Sequence, residues 1–141
     1  MKTKTMFLVI LLSGFFMCQL SAQVLKKGAV LAIHTYSFIL NPDVTLNQFN
    51  DFMINKYIPE SDKNFPGTKT YLLISDRGEK KNQIGFLVYF ENVQVRDKYY
   101  PTADKTSPEG DAANAKMKTI TDEMMKYVTD YTQIYTDWII K

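Results

Sequence analysis

The stretch Gly28 to Leu40, GAVLAIHTYSFIL, decides how the chain is read. It is rich in β-branched and aromatic residues and holds no proline, so it predicts a strand. Successive side chains of a strand point to opposite faces. One face carries Val30, Ala32, His34, Tyr36 and Phe38; the other carries Leu31, Ile33, Thr35, Ser37 and Ile39. Both faces are largely apolar. A sheet covered by helices on one side and by water on the other should instead alternate. Both faces of this strand therefore need cover.

Downstream, Asn41-Pro42-Asp43 marks a turn. Thr45 and Gln48 have capping-box spacing and open a helix. Leu46, Phe49, Met53 and Tyr57 follow at steps of three and four, which predicts one buried face. Pro59 predicts that this helix stops near Tyr57 or Ile58. Asn64-Phe65-Pro66-Gly67 is a second turn. Thr68 to Asp76 and Asn82 to Glu91 read as strands, and the short polar link Arg77 to Lys81 joins them as an antiparallel hairpin. Val93 to Tyr100 predicts one or two helical turns, ended by Pro101. Thr102 to Thr106 is a polar connection. Ser107-Pro108 opens a second long helix, which the spacing of Ala113, Met117, Ile120 and Met124 carries to about Thr129. Tyr131 to Ile140 is again strand-like.

The order β-α-β-β-α-β predicts an α+β, ferredoxin-like fold: a four-stranded antiparallel sheet with helices on one face. The terminal strands are expected to lie apart, so Asp137 is not expected to reach His34. The third strand is two-sided like the first, with Phe86, Val88 and Phe90 opposing Leu87 and Tyr89. Helices cover one face. A second copy of the sheet covers the other, which predicts a homodimer with a shared barrel. The alternative cover is the N-terminal segment or the Pro101 to Ser107 connection.

Upstream, Lys2 and Lys4 precede the 12-residue apolar run Met6 to Met17. A spanning helix needs about 20 apolar residues, so this run fits the core of an export signal. Leu20-Ser21-Ala22 predicts cleavage after Ala22, with residues 1–22 as signal and 23–141 as one domain. Cys18 leaves open a lipid-modified variant, although Met17 is not the small residue that usually precedes such a cysteine. The full chain has 141 residues, 17 Lys plus Arg against 15 Asp plus Glu, one His and one Cys. Cleavage leaves 119 residues, 15 basic against 15 acidic side chains, and no cysteine. A neutral mature chain gives no support to nucleic-acid binding by bulk charge. The expected location is periplasmic or secreted, with no stable membrane anchor after cleavage.

The element order, Phe65-Pro66-Gly67, the Arg77-Gly78-Glu79 hairpin and Phe90-Glu91-Asn92 leading into Arg96-Asp97-Lys98-Tyr99-Tyr100-Pro101 carry a resemblance. Over Ala29 to Ile140 the chain resembles the dimeric α/β-barrel superfamily, with its antibiotic-biosynthesis-monooxygenase-like and stress-responsive barrel domains. The resemblance implies a shared barrel. Its members include cofactor-free oxygenases, haem-degrading oxygenases, isomerases and proteins without known activity. The haem-degrading members use a helix-borne His with Asn and Trp. Here the single His lies on the first predicted strand.

His34 is the candidate for proton transfer, because an imidazole titrates near neutral pH. It is equally a candidate haem ligand, or a packed strand histidine bonded to a neighbouring Tyr or backbone group. Tyr36, Tyr71, Tyr89, Tyr99 and Trp138 are candidates to line a pocket, since each pairs an apolar body with a polar tip. For any one of them, core or interface packing is the plainer reading. Arg96, one of two arginines, can hold a carboxylate, or pair at the surface with Asp97. One His and one Cys exclude a multi-His or Cys-rich metal site, so no metal is expected. There is no phosphate-binding glycine loop and no nucleophile elbow. The sequence thus points to an exported barrel that binds a small apolar or aromatic ligand without a cofactor. The alternative is a monooxygenase-like enzyme, cofactor-free or haem-linked, with His34 as base or ligand.

Overall fold

The structure is a computed structural model and describes residues 25–81, 83–103 and 105–141. The expected export signal, its cleavage point and Cys18 lie outside the described residues. The strands are β1 (Val30–Leu40), β2 (Thr68–Ile74), β3 (Ile84–Phe90) and β4 (Val128–Ile139). The helices are α1 (Leu46–Phe52), α2 (Ile58–Asn64), α3 (Val93–Tyr99) and α4 (Pro108–Met124), with a π-helical turn, Met53–Tyr57, joining α1 to α2. The sheet is antiparallel throughout, in the order β2-β3-β1-β4. This is the ferredoxin-like α+β fold expected from the element order.

Helix α1 begins as its capping box dictates. The Thr45 N–H donates to Gln48 Oε1 at 2.8 Å, and the Gln48 N–H donates to Thr45 Oγ1 at 3.3 Å. Pro59 does not end the helix. The Ile58 N–H reaches back five residues to the Met53 carbonyl, so the turn before Pro59 is widened. A proline in an α-helix loses a hydrogen bond and clashes with the carbonyl four residues back. A π turn placed just ahead of it relieves that clash, and the helix runs on to Asn64.

Two further expectations are corrected. Helix α4 ends at Met124 rather than near Thr129, and Val128 already belongs to β4. The Asn41 side chain sets this boundary: its Nδ2 donates to the carbonyls of Lys126 at 2.8 Å and Met125 at 3.4 Å. Second, the terminal strands are neighbours. β1 pairs with β4 from Val30↔Ile139 to Leu40↔Val128, which sets His34 opposite Tyr135 and Ala32 opposite Asp137. The crossover through α1 and α2 carries the chain past β3 to the edge position of β2, which leaves the far side of β1 open for β4.

The core does not close into one mass. One cluster centres on Phe49, Phe52, Met53 and Phe86. A second gathers Phe65, Tyr99, Ala113 and Met117 between helices, and a third holds Val30, Ala32 and Phe90 on the sheet. Members of all three line a single large cavity between sheet and helices.

Candidate functional site

The cavity has a volume of about 1100 Å³. Its sheet wall is the face of β1 that carries Ala32, His34, Tyr36 and Phe38. The register adds Phe86 and Val88 from β3, Thr70 from β2, and Tyr131, Tyr135 and Asp137 from β4. Ala32 and Val88 are the small side chains of this face, and they leave the room that the larger ones do not fill. Opposite lie Met53 and Tyr57 of the π turn, Phe65, Tyr100, and Met117 and Thr121 of α4. Pro101 to Ala103, with Lys105 and Thr106, close one side, where the Tyr135 hydroxyl donates to the Ala103 carbonyl at 2.9 Å.

His34 sits in an aromatic row. Its ring stacks on Tyr135 with centroids 5.2 Å apart, and Tyr36 stacks on Phe38 at 5.0 Å. The His34 Nδ1 is buried and has no hydrogen-bond partner. Burial lowers its pKa below 6.5; a side-chain hydrogen bond with Gln133 and the charge of Asp137 oppose that shift in part. The imidazole is therefore neutral at pH 7. Thr70 Oγ1 is a second buried polar atom without a partner on this wall.

Arg96 also reaches the cavity. Its Nη1 donates to Asp137 Oδ2 at 3.0 Å, and its Nε donates to Asp97 Oδ1 at 2.8 Å. The expected surface pair with Asp97 is thus extended inward to β4. Arg96 and Asp137 are each about three-quarters buried, which gives the pair more weight than an exposed one.

Tyrosines 36, 57 and 100 line the same cavity from three different parts of the chain. Burial pushes the Tyr36 hydroxyl above its ordinary range, and nearby Tyr57, Tyr131 and Tyr100 add to the shift. Burial likewise raises Tyr57, which the Thr121 side chain hydrogen-bonds, and takes Tyr100 up to about 12. All three are neutral donors at pH 7.

The structure divides the residues singled out in the sequence. His34, Tyr36 and Arg96 meet at the cavity. Tyr71, Tyr89 and Trp138 lie on the opposite face of the sheet, where the register groups them with Leu31 and Leu87. Tyr99 is buried between helices and donates to the Pro66 carbonyl at 3.0 Å. Sequence reasoning missed Tyr57, Tyr100 and Thr70. A phase count along β2 puts Thr70 on the inner face, but nothing local ties Tyr57 or Tyr100 to β1.

The haem-degrading constellation is not assembled. His34 is on β1, not on a helix, and Trp138 projects from the face of the sheet away from it. Among the described residues, no three His, Cys, Asp or Glu side chains form a group able to hold a metal. No described helix is long and apolar enough to cross a membrane.

No family model and no curated protein matches the chain. Solved structures do. A NIPSNAP-family protein of unknown function from Agrobacterium tumefaciens superposes with a TM-score of 0.51 at 9% identity, over 82% of this chain and 93% of that one. A dimeric ferredoxin-like protein of unknown function from Bacteroides fragilis gives 0.44 at 19% identity, over 81% and 98%. SnoaB, a cofactor-independent oxygenase from Streptomyces nogalater, gives 0.41 at 10% identity, over 81% and 94%. The chain shares its fold with the Agrobacterium protein. Fold alone carries no activity.

Proposed function

We propose that this is an exported protein that binds a small, largely aromatic molecule in the cavity between its sheet and helices. One observation carries the reading: a cavity of about 1100 Å³ lies where the core of a chain this size should close. Ligand sites are typically concave, mostly apolar and set with a few polar groups, and this wall mixes Phe38, Phe86 and Met53 with His34, Tyr36 and Arg96. The working unit is a homodimer built on the outer sheet face, and export follows from the N-terminal run Met6 to Met17. Titration with 1-naphthol, read by its fluorescence, tests the cavity. Saturable binding of one molecule per chain is expected, and Asn114→Trp, which fills the helix side, should weaken it at least tenfold. Absence of saturable binding would sink the reading.

A second reading rests on the neutral His34 with its unpartnered Nδ1. A neutral imidazole is a competent general base. On this reading the protein is a cofactor-free, monooxygenase-like enzyme in which His34 accepts a proton from the substrate. His34→Ala separates the two: it abolishes turnover in an enzyme and leaves affinity within a few-fold in a binding protein. The haem-linked variant predicts a Soret shift when haemin is added to the wild type and none with His34→Ala.

A further inference from the structure

The two ring nitrogens of His34 stand in different surroundings. Nδ1 is buried and without a partner. The side chain that hydrogen-bonds the imidazole is Gln133 of β4, so that bond falls on Nε2. The register explains the meeting. β4 sets Tyr135 opposite His34 and Gln133 opposite Tyr36, which makes Gln133 the diagonal neighbour of His34 on the same face. Both residues line the cavity. The ring plane is held as well: it stacks with Tyr135 at 5.2 Å and with Tyr36 at 6.3 Å, 17° and 20° from parallel. The nearby charges are Asp137 on β4 and Arg96 of α3, which Asp137 holds. The Gln133 bond favours the charged imidazole. An accepting oxygen has that effect, whereas a donated amide N–H would favour the neutral ring.

We propose that Gln133 fixes the tautomer of His34: its Oε1 accepts from Nε2–H, and the lone pair lies on the buried Nδ1. Gln133 is thus a positioning residue, and the inference rests on the cavity being the working site. A neutral imidazole carries one N–H and one acceptor nitrogen, and the bond made at one sets the state of the other. The opposite tautomer gives up the bond to the Gln133 oxygen and buries an N–H with no acceptor. Buried N–H groups without a partner are rarer than acceptors left short. Leaving that donor unpaired disfavours the opposite tautomer about tenfold or more. No lone pair of His34 is then open to the cavity. A base acting through Nε2 needs the disfavoured tautomer, so Gln133 holds back the proton transfer on which the enzyme reading depends.

The chain has a single histidine, so long-range proton–nitrogen NMR of nitrogen-labelled protein reads both ring nitrogens without ambiguity. At a pH where the ring is neutral, Nε2 should be protonated and Nδ1 unprotonated, with the Nε2 proton slow to exchange with water. Gln133 is exposed, so its variants keep the fold. Gln133→Glu offers only acceptor oxygens when ionised; it should keep the wild-type pattern and raise the His34 pKa. Gln133→Leu should speed Nε2–H exchange about tenfold or more and lower the His34 pKa by roughly half a pH unit or more. Thr132→Ala, on the opposite face of β4, should change neither readout. A protonated Nδ1 in the wild type overturns the inference, because Gln133 would then donate through its amide. Exchange and pKa left unchanged in Gln133→Leu also overturn it, because burial of Nδ1 alone would then set the tautomer. These measurements need no ligand. Their failure alongside saturable 1-naphthol binding refutes the role of Gln133 and leaves the cavity reading standing, whereas absence of 1-naphthol binding strikes the cavity reading whichever tautomer His34 holds.

Discussion

His34 is held neutral by its surroundings, and that has a sign that can be worked out. Burial lowers its pKa below 6.5, and the charge of Asp137 pulls it partly back. The unfolded chain therefore takes up a proton at a higher pH than the folded one. Stability from this residue is fully present above pH 6.5 and falls as the pH drops below it toward the folded pKa. Thermal unfolding between pH 7.5 and 5.5 should show a steeper loss in the wild type than in His34→Gln. Asp137→Asn should move the folded pKa lower still, because it removes the one charge that favours the imidazolium. NMR titration reads this directly, as the chain has a single histidine. A folded pKa at or above 6.5 in the wild type would contradict the burial argument. The pairing of His34 with Tyr36 was legible from strand alternation alone. Tyr71 and Trp138 were drawn toward the same pocket by their chemistry, yet their positions in β2 and β4 put them on the other face. Residue type indicates what a side chain can do, and only register says which face it does it on.

At the scale of elements, local signals read well and distant ones did not. The Thr45–Gln48 box and the Ser107 cap with Pro108 behind it fixed two helix starts to the residue. The hairpin between β2 and β3 followed from its polar glycine-containing link. The ends were harder, because what terminates α4 lies far away in the chain. Asn41 holds the carbonyls of Lys126 and Met125 through Nδ2 and accepts from Thr129 Oγ1 at 2.6 Å through Oδ1. Its own N–H donates to the Tyr127 carbonyl at 2.9 Å. One side chain thus ties the end of β1 to the turn that starts β4. Asn41→Ala keeps the backbone bond and loses the side-chain ones. It should cost about 0.5–1.5 kcal/mol, the net worth of ordinary hydrogen bonds at a solvent-exposed site. Chemical denaturation would show this as a lower midpoint with unchanged slope. A loss under about 0.5 kcal/mol, the range of ordinary surface substitutions, would mean that water replaces the anchor at no cost. The π turn before Pro59 was equally hidden. Proline marks strain at a known place, but which remedy the chain adopts depends on the tertiary packing of Met53 and Tyr57.

Among the described residues, much of one face of the sheet is left exposed. The register sets Leu31, Ile33, Leu73, Leu87, Ile134 and Trp138 on the side away from the helices. Ile134 is 68% exposed and Trp138 58%. The Pro101 to Thr106 connection lines the cavity on the helix side, so it is not the cover for this face. Among the described residues β4 is also an edge strand, 12 residues long, with no strand paired on its outer side. A long edge beside an apolar face is a template for association unless a partner takes it. The chain from Gln23 onward should therefore run as a dimer at micromolar concentration in size-exclusion chromatography with light scattering. Trp138→Lys, within the exposed patch and outside the cavity, should weaken that dimer at least 30-fold, the loss of about 2 kcal/mol typical of a central aromatic anchor. The 1-naphthol affinity of the resulting monomer then shows whether the cavity depends on the second copy. A wild-type chain that stays monomeric at micromolar concentration would remove the dimer and assign the face to a different cover. A dimer untouched by Trp138→Lys would place the interface on another surface of the fold.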